Sequence, residues 1–436
     1  MSETVKLTLP DGQETELPII VGSEGERAID IRRLRAQTGY ITVDEAYRNT
    51  GSCLSAITFI DGERGILRYR GYPIEEVAQR CTFIDAAQLI IWGELPSPAK
   101  RACFTELLTE NSSLPEAFRR HFGGFPTHAH PMSILSAMIN ALQSYDLPGL
   151  YIDSTEEFER VAASLISKIR TIAASSYRSS ISAPINYPRY DMSYTQNFLH
   201  LMFSRPFKEY VPSETATRAL DLFLTLHADH EQNCSTSTVR TVASGQANLY
   251  ASAAAGVCAL WGRLHGGANQ AVLEMLNQIT AEGLSVKDYL ARVKDKKSGT
   301  LLMGFGHRVY RSFDPRAKIL KQAADNLLDE MHVVDPRLDL ARELEAAALA
   351  DDYFVSRRLY PNVDFYSGII LTALGIPVEM FTVMFSIGRM PGWIANWKEI
   401  AEQPEVGIYR PRQVYTGKTR RPMPPWGPWQ TELVSA

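Results

Sequence analysis

Between Phe365 and Gly388 the chain carries a single charged side chain, Glu379. A run that apolar has to leave water, either in a bilayer or in a protein core. A membrane-spanning helix needs about 20 consecutive apolar residues. Here Gly375-Ile-Pro377 interrupts the run and Glu379 follows. Glycine and proline punctuate helices, so the pattern predicts two buried helices joined by a turn. The rest of the chain can supply the surrounding core, because 45% of its 436 residues are hydrophobic and only 22% are charged. That is ordinary globular composition, and the length suits roughly two to three domains.

Apolar residues recur with helical spacing over 132–145, 157–175, 214–230, 239–261, 268–280, 315–331 and 338–357. A further helix is expected from Pro73, with proline in its first turn and Glu75 and Glu76 beside its positive end. Another covers Phe83–Trp92 and stops at Gly93. The first 60 residues differ. Val5–Leu9 alternates as a half-buried strand does, Pro10-Asp-Gly12 is a turn signal, and Leu17–Val21 reads as a second strand. Ile57–Ile60, Asp61-Gly62 and Gly65–Tyr69 have the form of a hairpin. The expected fold class is mainly α, with a small β-rich N-terminal module.

A net charge of −4 gives no general basic field for nucleic acid. Cys53, Cys81, Cys103, Cys234 and Cys258 are odd in number and form no CxxC pair, which argues against a disulfide framework or a cysteine zinc site and fits a reducing compartment. The first ten residues lack the apolar core of a signal peptide and are too acidic for a mitochondrial leader, so a cytoplasmic location is expected.

Candidate chemistry gathers in four segments: His227-Ala-Asp-His230-Glu-Gln-Asn233, Leu264-His265-Gly-Gly-Ala-Asn269, Met303-Gly304-Phe-Gly306-His307-Arg308-Val-Tyr310 with Asp314-Pro-Arg316 after it, and Pro361-Asn-Val-Asp364-Phe-Tyr-Ser-Gly368. Each supports two readings. His227 and His230 could share a helix face and bind a metal, or be ordinary hydrogen-bonded histidines. His265 precedes two glycines that let backbone approach a ligand closely, or it sits in a helix-joining turn. Gly304-Phe-Gly306 lacks the third glycine of a dinucleotide fingerprint, yet glycine, imidazole and guanidinium together suit an anionic or carbonyl substrate. Asp364 borders the apolar run, where desolvation raises a carboxylate's pKa and makes it a base, unless it merely caps a helix. Arg389 either complements a helix end or grips a carboxylate. Gly417-Lys-Thr419 is no phosphate loop, since Arg412 stands where the first glycine is required.

In this order and spacing the four segments resemble the citrate synthase family over essentially the whole chain. Ile57–Tyr72 and Arg410-Pro-Arg-Gln-Val-Tyr-Thr-Gly417 are similar to the hexameric type II of Gram-negative bacteria. The resemblance implies condensation of acetyl-CoA with oxaloacetate, then hydrolysis of citryl-CoA to citrate and CoA, the first step of the tricarboxylic acid cycle. It implies a β-rich module at 1–60, a large helical domain at 61–267 and 378–436, and a small one at 268–377. Asp364 would take a methyl proton from acetyl-CoA, neutral His265 would stabilise the enolate, and His307 would polarise the oxaloacetate ketone. His230, Arg316 and Arg389 would hold the oxaloacetate carboxylates, with Arg410 reaching into a neighbouring subunit's site. Leu264, Met303, Gly304, Gly306, Arg308, Arg311 and Lys318 would contact coenzyme A. No cofactor or metal is implied, since acetyl-CoA is a substrate, and the partners would be further copies of the chain, as a dimer or a trimer of dimers.

One departure concerns regulation. At positions aligned with NADH contacts of hexameric members stand Asp146, Ser164 and Phe207, with Tyr145 one residue away and Lys168 retained, so weak or absent NADH inhibition is expected. The nearest rival is 2-methylcitrate synthase, which uses propionyl-CoA. The others are a metallohydrolase built on His227, His230 and a distant acid, and a non-catalytic helical scaffold.

Overall fold

The computed structural model describes residues 3–146, 152–331 and 336–423. The chain divides into two compact units, one formed by Met1–Leu54 with the segment that begins at Tyr409, the other by Ser55–Ile408. In the first, β1 (Thr4–Thr8), β2 (Glu14–Val21) and β3 (Arg27–Ile29) pair antiparallel in that order, and α1 (Leu34–Thr38) follows. The turn read at Pro10–Gly12 closes β1 on β2, with Gly12 N–H donating to the Leu9 carbonyl.

The second unit opens with a small antiparallel sheet, β4 (Thr58–Asp61), β5 (Ile66–Tyr69) and β6 (Tyr72–Pro73). Helices follow: α2 (Ile74–Arg80), α3 (Phe83–Trp92), α4 (Pro98–Glu110), α5 (Glu116–Arg119), α6 (Pro131–Leu142), α7 (Thr155–Ser180), α8 (Tyr194–Phe203) and α9 (Glu214–Leu226). Then come α10 (Cys234–Ser244), α11 (Leu249–Leu260), α12 (Ala268–Ala281), α13 (Val286–Lys294), α14 (Pro315–Met331), α15 (Pro336–Leu349), α16 (Asp352–Val355), α17 (Val363–Ala373) and α18 (Phe381–Ala401). The mainly α class read from the sequence is what the chain adopts.

The apolar run of 365–388 becomes α17 and α18, broken where Gly375 takes φ +75° and Pro377 precedes a 3₁₀ turn. Among the described residues no helix is long and apolar enough to cross a membrane. Instead α18 is the axis of the core, packed against α3, α7, α9, α10 and α11. Its Trp393 is fully buried, worth about 1.5–3 kcal/mol for a large apolar side chain. Gly256 on α11 makes that packing possible, because a Cβ there would lie 2.8 Å from Val239 and 2.9 Å from the Trp393 ring.

Several sequence expectations are corrected. The helix expected over 214–230 ends at Leu226, so His227 and His230 do not share a helix face. The helix over 239–261 is two helices, because Gln246 adopts φ +60° and Asn248 caps a new start, its side chain accepting from Ala251 N–H. The helix over 338–357 stops at Leu349, and Asp351 caps the separate α16. Pro73 is the N-cap of α2, one position before its first turn. The hairpin 57–69 falls in the helical unit, so the β-rich module ends at Leu54 rather than 60, because β4 is tied to the loop after α9. The chain from Tyr409 groups with the N-terminal unit, not with the helical one. Residues 424–436 of the large domain expected to include 378–436 lie outside the described residues.

Replacing Gly256 by Ala overpacks the α10–α11–α18 junction and is expected to cost about 1–3 kcal/mol in denaturant unfolding. Gly123→Ala, where a Cβ meets nothing within 4 Å, is the control and should stay within about 0.5 kcal/mol. Equal stability of the two variants contradicts this packing.

Candidate active site

The loop 227–233 runs from the end of α9 to the start of α10. It is anchored on three sides. His227 Nδ1 donates to the Phe223 carbonyl at 2.7 Å, and its own carbonyl accepts from Arg389 Nε at 2.7 Å. Thr58 Oγ1 donates to Asp229 at 2.6 Å and Ile60 N–H to Glu231 at 3.0 Å, so β4 holds the loop from outside. Asn233 caps α10 and accepts from Thr236 N–H at 3.0 Å. His230 is thereby fixed and buried.

His265 follows α11 in a turn pinned by Gly266 N–H to the Leu260 carbonyl, 2.9 Å, and by Thr382 Oγ1 to the Gly266 carbonyl, 3.1 Å. Its Nε2 lies 3.2 Å from the backbone N–H of Ser235, in the first turn of α10, and 2.9 Å from the Ser235 hydroxyl, which can donate or accept and so leaves the choice of tautomer to the amide. A backbone N–H only donates, so this nitrogen is bare and the imidazole carries its proton on Nδ1. Burial, with Arg389 reinforcing it, lowers its pKa to about 4.

His307 and Asp364 come from segments knitted to one another. Gly304 and Gly306 both take φ +78°, which favours glycine. Gly306 N–H donates to the Tyr360 carbonyl at 2.8 Å, Asn362 N–H to that of Gly304 at 2.9 Å, and Asn362 Nδ2 to that of Gly306 at 2.8 Å. His307 Nδ1 accepts from the N–H groups of Val309 and Tyr310, 3.0 and 3.1 Å, leaving the proton on Nε2. Its pKa is lowered to about 4 by burial, then by Arg316. Asp364 stands in the first turn of α17, where Asn362 is the cap; the capping role weighed for Asp364 is therefore filled by its neighbour. Burial pushes the Asp364 carboxyl up to about 6.

The two arginines are fully buried in different states. Arg316 is paired bidentately with Asp314, at 3.0 and 2.9 Å, and Asp314 also accepts from Val363 N–H at the head of α17. Burial opposes the charge of both partners, but each outweighs it for the other and the pair stays ionised. Arg389 lies in the interior of α18, not at the helix end expected for it. Its Nη1 is buried without a hydrogen-bond partner, and burial lowers its pKa to about 10.

These groups share one site. The His230 and His307 rings are 5.4 Å apart, and Phe385 contacts both the His265 ring, at 6.3 Å, and the Arg389 guanidinium, at 4.9 Å. Arg316 and Arg389 both act on Asp364 and His230. The arrangement offers two imidazoles with assigned donor nitrogens, one basic carboxylate and an unsatisfied guanidinium, a set suited to a carboxylate-bearing substrate and proton abstraction.

Of the remaining expected residues, Leu264 is fully exposed and Met303 partly buried beside the site loops, while Arg308, Arg311 and Lys318 are exposed. Arg410 belongs to the other compact unit. Among the described residues no group of three or more His, Cys, Asp or Glu side chains could hold a metal. Sequence reasoning missed Ser235, Asn362 and the contacts of Tyr310. The first two carried a signal, since Asn233-x-Ser and Asn362 stand where helix caps are read.

The model of the citrate synthase C-terminal domain matches residues 46–412. Citrate synthase 1 of Mycobacterium tuberculosis is 48% identical over 419 residues, 96% of this chain and 97% of that one. The citrate synthase of Pyrobaculum aerophilum superposes with a TM-score of 0.78 at 35% identity, covering 93% of this chain and 96% of its own. That of Thermoplasma acidophilum, solved as a ternary complex with carboxymethyl coenzyme A and oxaloacetate, gives 0.79 at 28% identity, over 88% of this chain and 98% of its own. With the donor set above, these similarities establish that the chain belongs to the citrate synthase family of acyltransferases.

Proposed function

We propose that this site condenses acetyl-CoA with oxaloacetate and hydrolyses the citryl-CoA formed, with His265, His307 and Asp364 as its catalytic residues. The observation that carries the reading is the donor pattern: His265 exposes Nδ1–H, His307 exposes Nε2–H, and both are neutral beside a carboxylate near pKa 6. A thioester methyl is a very weak acid, so Asp364 can remove its proton only if charge on the thioester oxygen is stabilised in the same step. His265 Nδ1–H supplies that donor. His307 Nε2–H polarises the ketone of oxaloacetate and donates to the developing alkoxide. Arg389, through its free Nη1, with Arg316 and His230, receives the two carboxylates, which would otherwise be buried unpaired. Arg410 of a neighbouring subunit completes that clamp.

Closure of a small helical domain (268–377) on a large one (61–267 and 378–408) excludes water from the carbon–carbon bond-forming step. Coenzyme A lies along Leu264 and the Met303–Gly306 loop, its phosphates met by Arg308, Arg311 and Lys318. The working particle is a homo-oligomer in the cytoplasm, six copies as three dimers. NADH inhibition is weak or absent: Asp146 is already paired with Arg160 at 2.9 Å and with Tyr250, Lys168 donates to Ser164 at 2.7 Å, and Phe207 is exposed.

Release of CoA thiol is expected from acetyl-CoA only when oxaloacetate is present, and with far higher kcat/KM than from propionyl-CoA; a preference for propionyl-CoA makes the chain a 2-methylcitrate synthase instead. Asp364→Ala is expected to lower kcat by at least about 10²–10⁴-fold while oxaloacetate still binds, and wild-type turnover in that variant removes the base. Arg389→Lys keeps the charge but not the fork, and calorimetry is expected to show oxaloacetate binding weakened about 10- to 100-fold; an unchanged Kd counts against the clamp. Because Asp364 must be ionised to accept a proton, kcat/KM for acetyl-CoA should fall as pH drops through about 6. A profile flat down to pH 5 contradicts that.

A further inference from the structure

Tyr310 is buried to 2% exposure and sits at the centre of the proposed oxaloacetate clamp. Its ring centroid is 4.8 Å from that of His307 and 5.6 Å from that of His230, and the Arg316 guanidinium lies 5.9 Å from it. Its backbone N–H is one of the two donors that fix the proton of His307 on Nε2. Its phenolic oxygen lies 3.3 Å from His230 Nε2, while His230 Nδ1 makes no hydrogen bond among the described residues.

His230 is buried, and Arg316 and Arg389 add positive charge around it, so it is neutral. A neutral imidazole has one proton, and the choice of nitrogen decides what it can bind. A bare nitrogen facing a carboxylate repels it, whereas an N–H facing one attracts it. With the proton on Nε2, His230 would spend its donor on the phenol and turn a lone pair to the substrate. With the phenol donating, Nε2 accepts and Nδ1–H remains for a substrate oxygen.

We propose that Tyr310 is a positioning residue for oxaloacetate: its hydroxyl donates to His230 Nε2 and so holds Nδ1–H toward the substrate carboxylate, while its backbone N–H sets the complementary tautomer of His307. This rests on the citrate synthase reading of the site. One residue thus bears on the donor of both imidazoles on the oxaloacetate side, through its hydroxyl at His230 and, with Val309, through its backbone N–H at His307.

Tyr310→Phe keeps the ring and the backbone N–H and removes only the hydroxyl. Once wild-type, oxaloacetate-dependent release of CoA thiol is established, the variant is expected to bind oxaloacetate about 5- to 10-fold more weakly, the loss of roughly one hydrogen bond, with KM for oxaloacetate raised in step and kcat changed much less. Purely structural packing by the ring predicts an unchanged Kd, and a Kd within twofold of wild type overturns the proposal. An independent readout uses the wild-type enzyme: solid-state NMR of ¹⁵N-histidine-labelled protein, with the His230 signals assigned by their loss in His230→Gln. Protonated Nδ1 and bare Nε2 are expected, and a protonated Nε2 overturns the assignment whatever the kinetics. Absence of turnover in the wild type counts instead against the citrate synthase reading.

Discussion

Two guanidinium groups are held out of water within one site, and they are matched unequally. Arg316 is neutralised by the bidentate carboxylate of Asp314, whereas Arg389 keeps a buried Nη1 with no partner and only a backbone carbonyl on its Nε. Asp229 offsets part of the Arg389 charge through space, but a buried donor left without a hydrogen bond still costs about 1–3 kcal/mol until a partner arrives. That imbalance organises what surrounds it. Behind burial, which is the larger cause, the arginines lower the pKa of the nearby imidazoles; the free Nη1 asks for an anionic substrate; and Arg389 sits on α18, the helix central to the core.

The imidazoles are neutral through burial first and the arginine field second, but their direction follows from the backbone amides that meet them. His265 is turned by a donor in the first turn of α10, where a helix has N–H groups to spare. His307 is turned by the two amides that follow it, Val309 and Tyr310. The carboxylate of Asp364 is left basic by the apolar surroundings that hide it, and is kept from rising further by the two arginines. Acid, base and anion clamp are therefore one electrostatic arrangement.

Much of this was readable from the chain. Glycine and proline at 375–377 split the apolar run into two helices, Gly93 ended α3, and the hairpin at 57–69 formed with the expected pairing. The segments around His265, His307 and Asp364 were marked by residue types with few purely structural uses. Other features depended on distant contacts. Periodicity carried the helix of 214–230 past Leu226, because it cannot see that His227 and Asp229 are claimed by Arg389 and Thr58. Arg389 read as a helix end because it closes the nearly charge-free run, while α18 continues through Pro391 to Ala401. The tautomers could not be read at all, since His265 depends on an amide 30 residues away and His307 on the way its own loop folds back.

The central claim is that His265 Nδ1–H, His307 Nε2–H and the Asp364 carboxylate face one reacting pair of substrates. A crystal structure of this protein with oxaloacetate and an unreactive acetyl-CoA analogue tests it directly. The account predicts His265 Nδ1 on the thioester-equivalent oxygen and His307 Nε2 on the ketone oxygen, each within about 3.2 Å, with Asp364 against the methyl-equivalent atom. A complex in which any of the three points away from the ligands contradicts it.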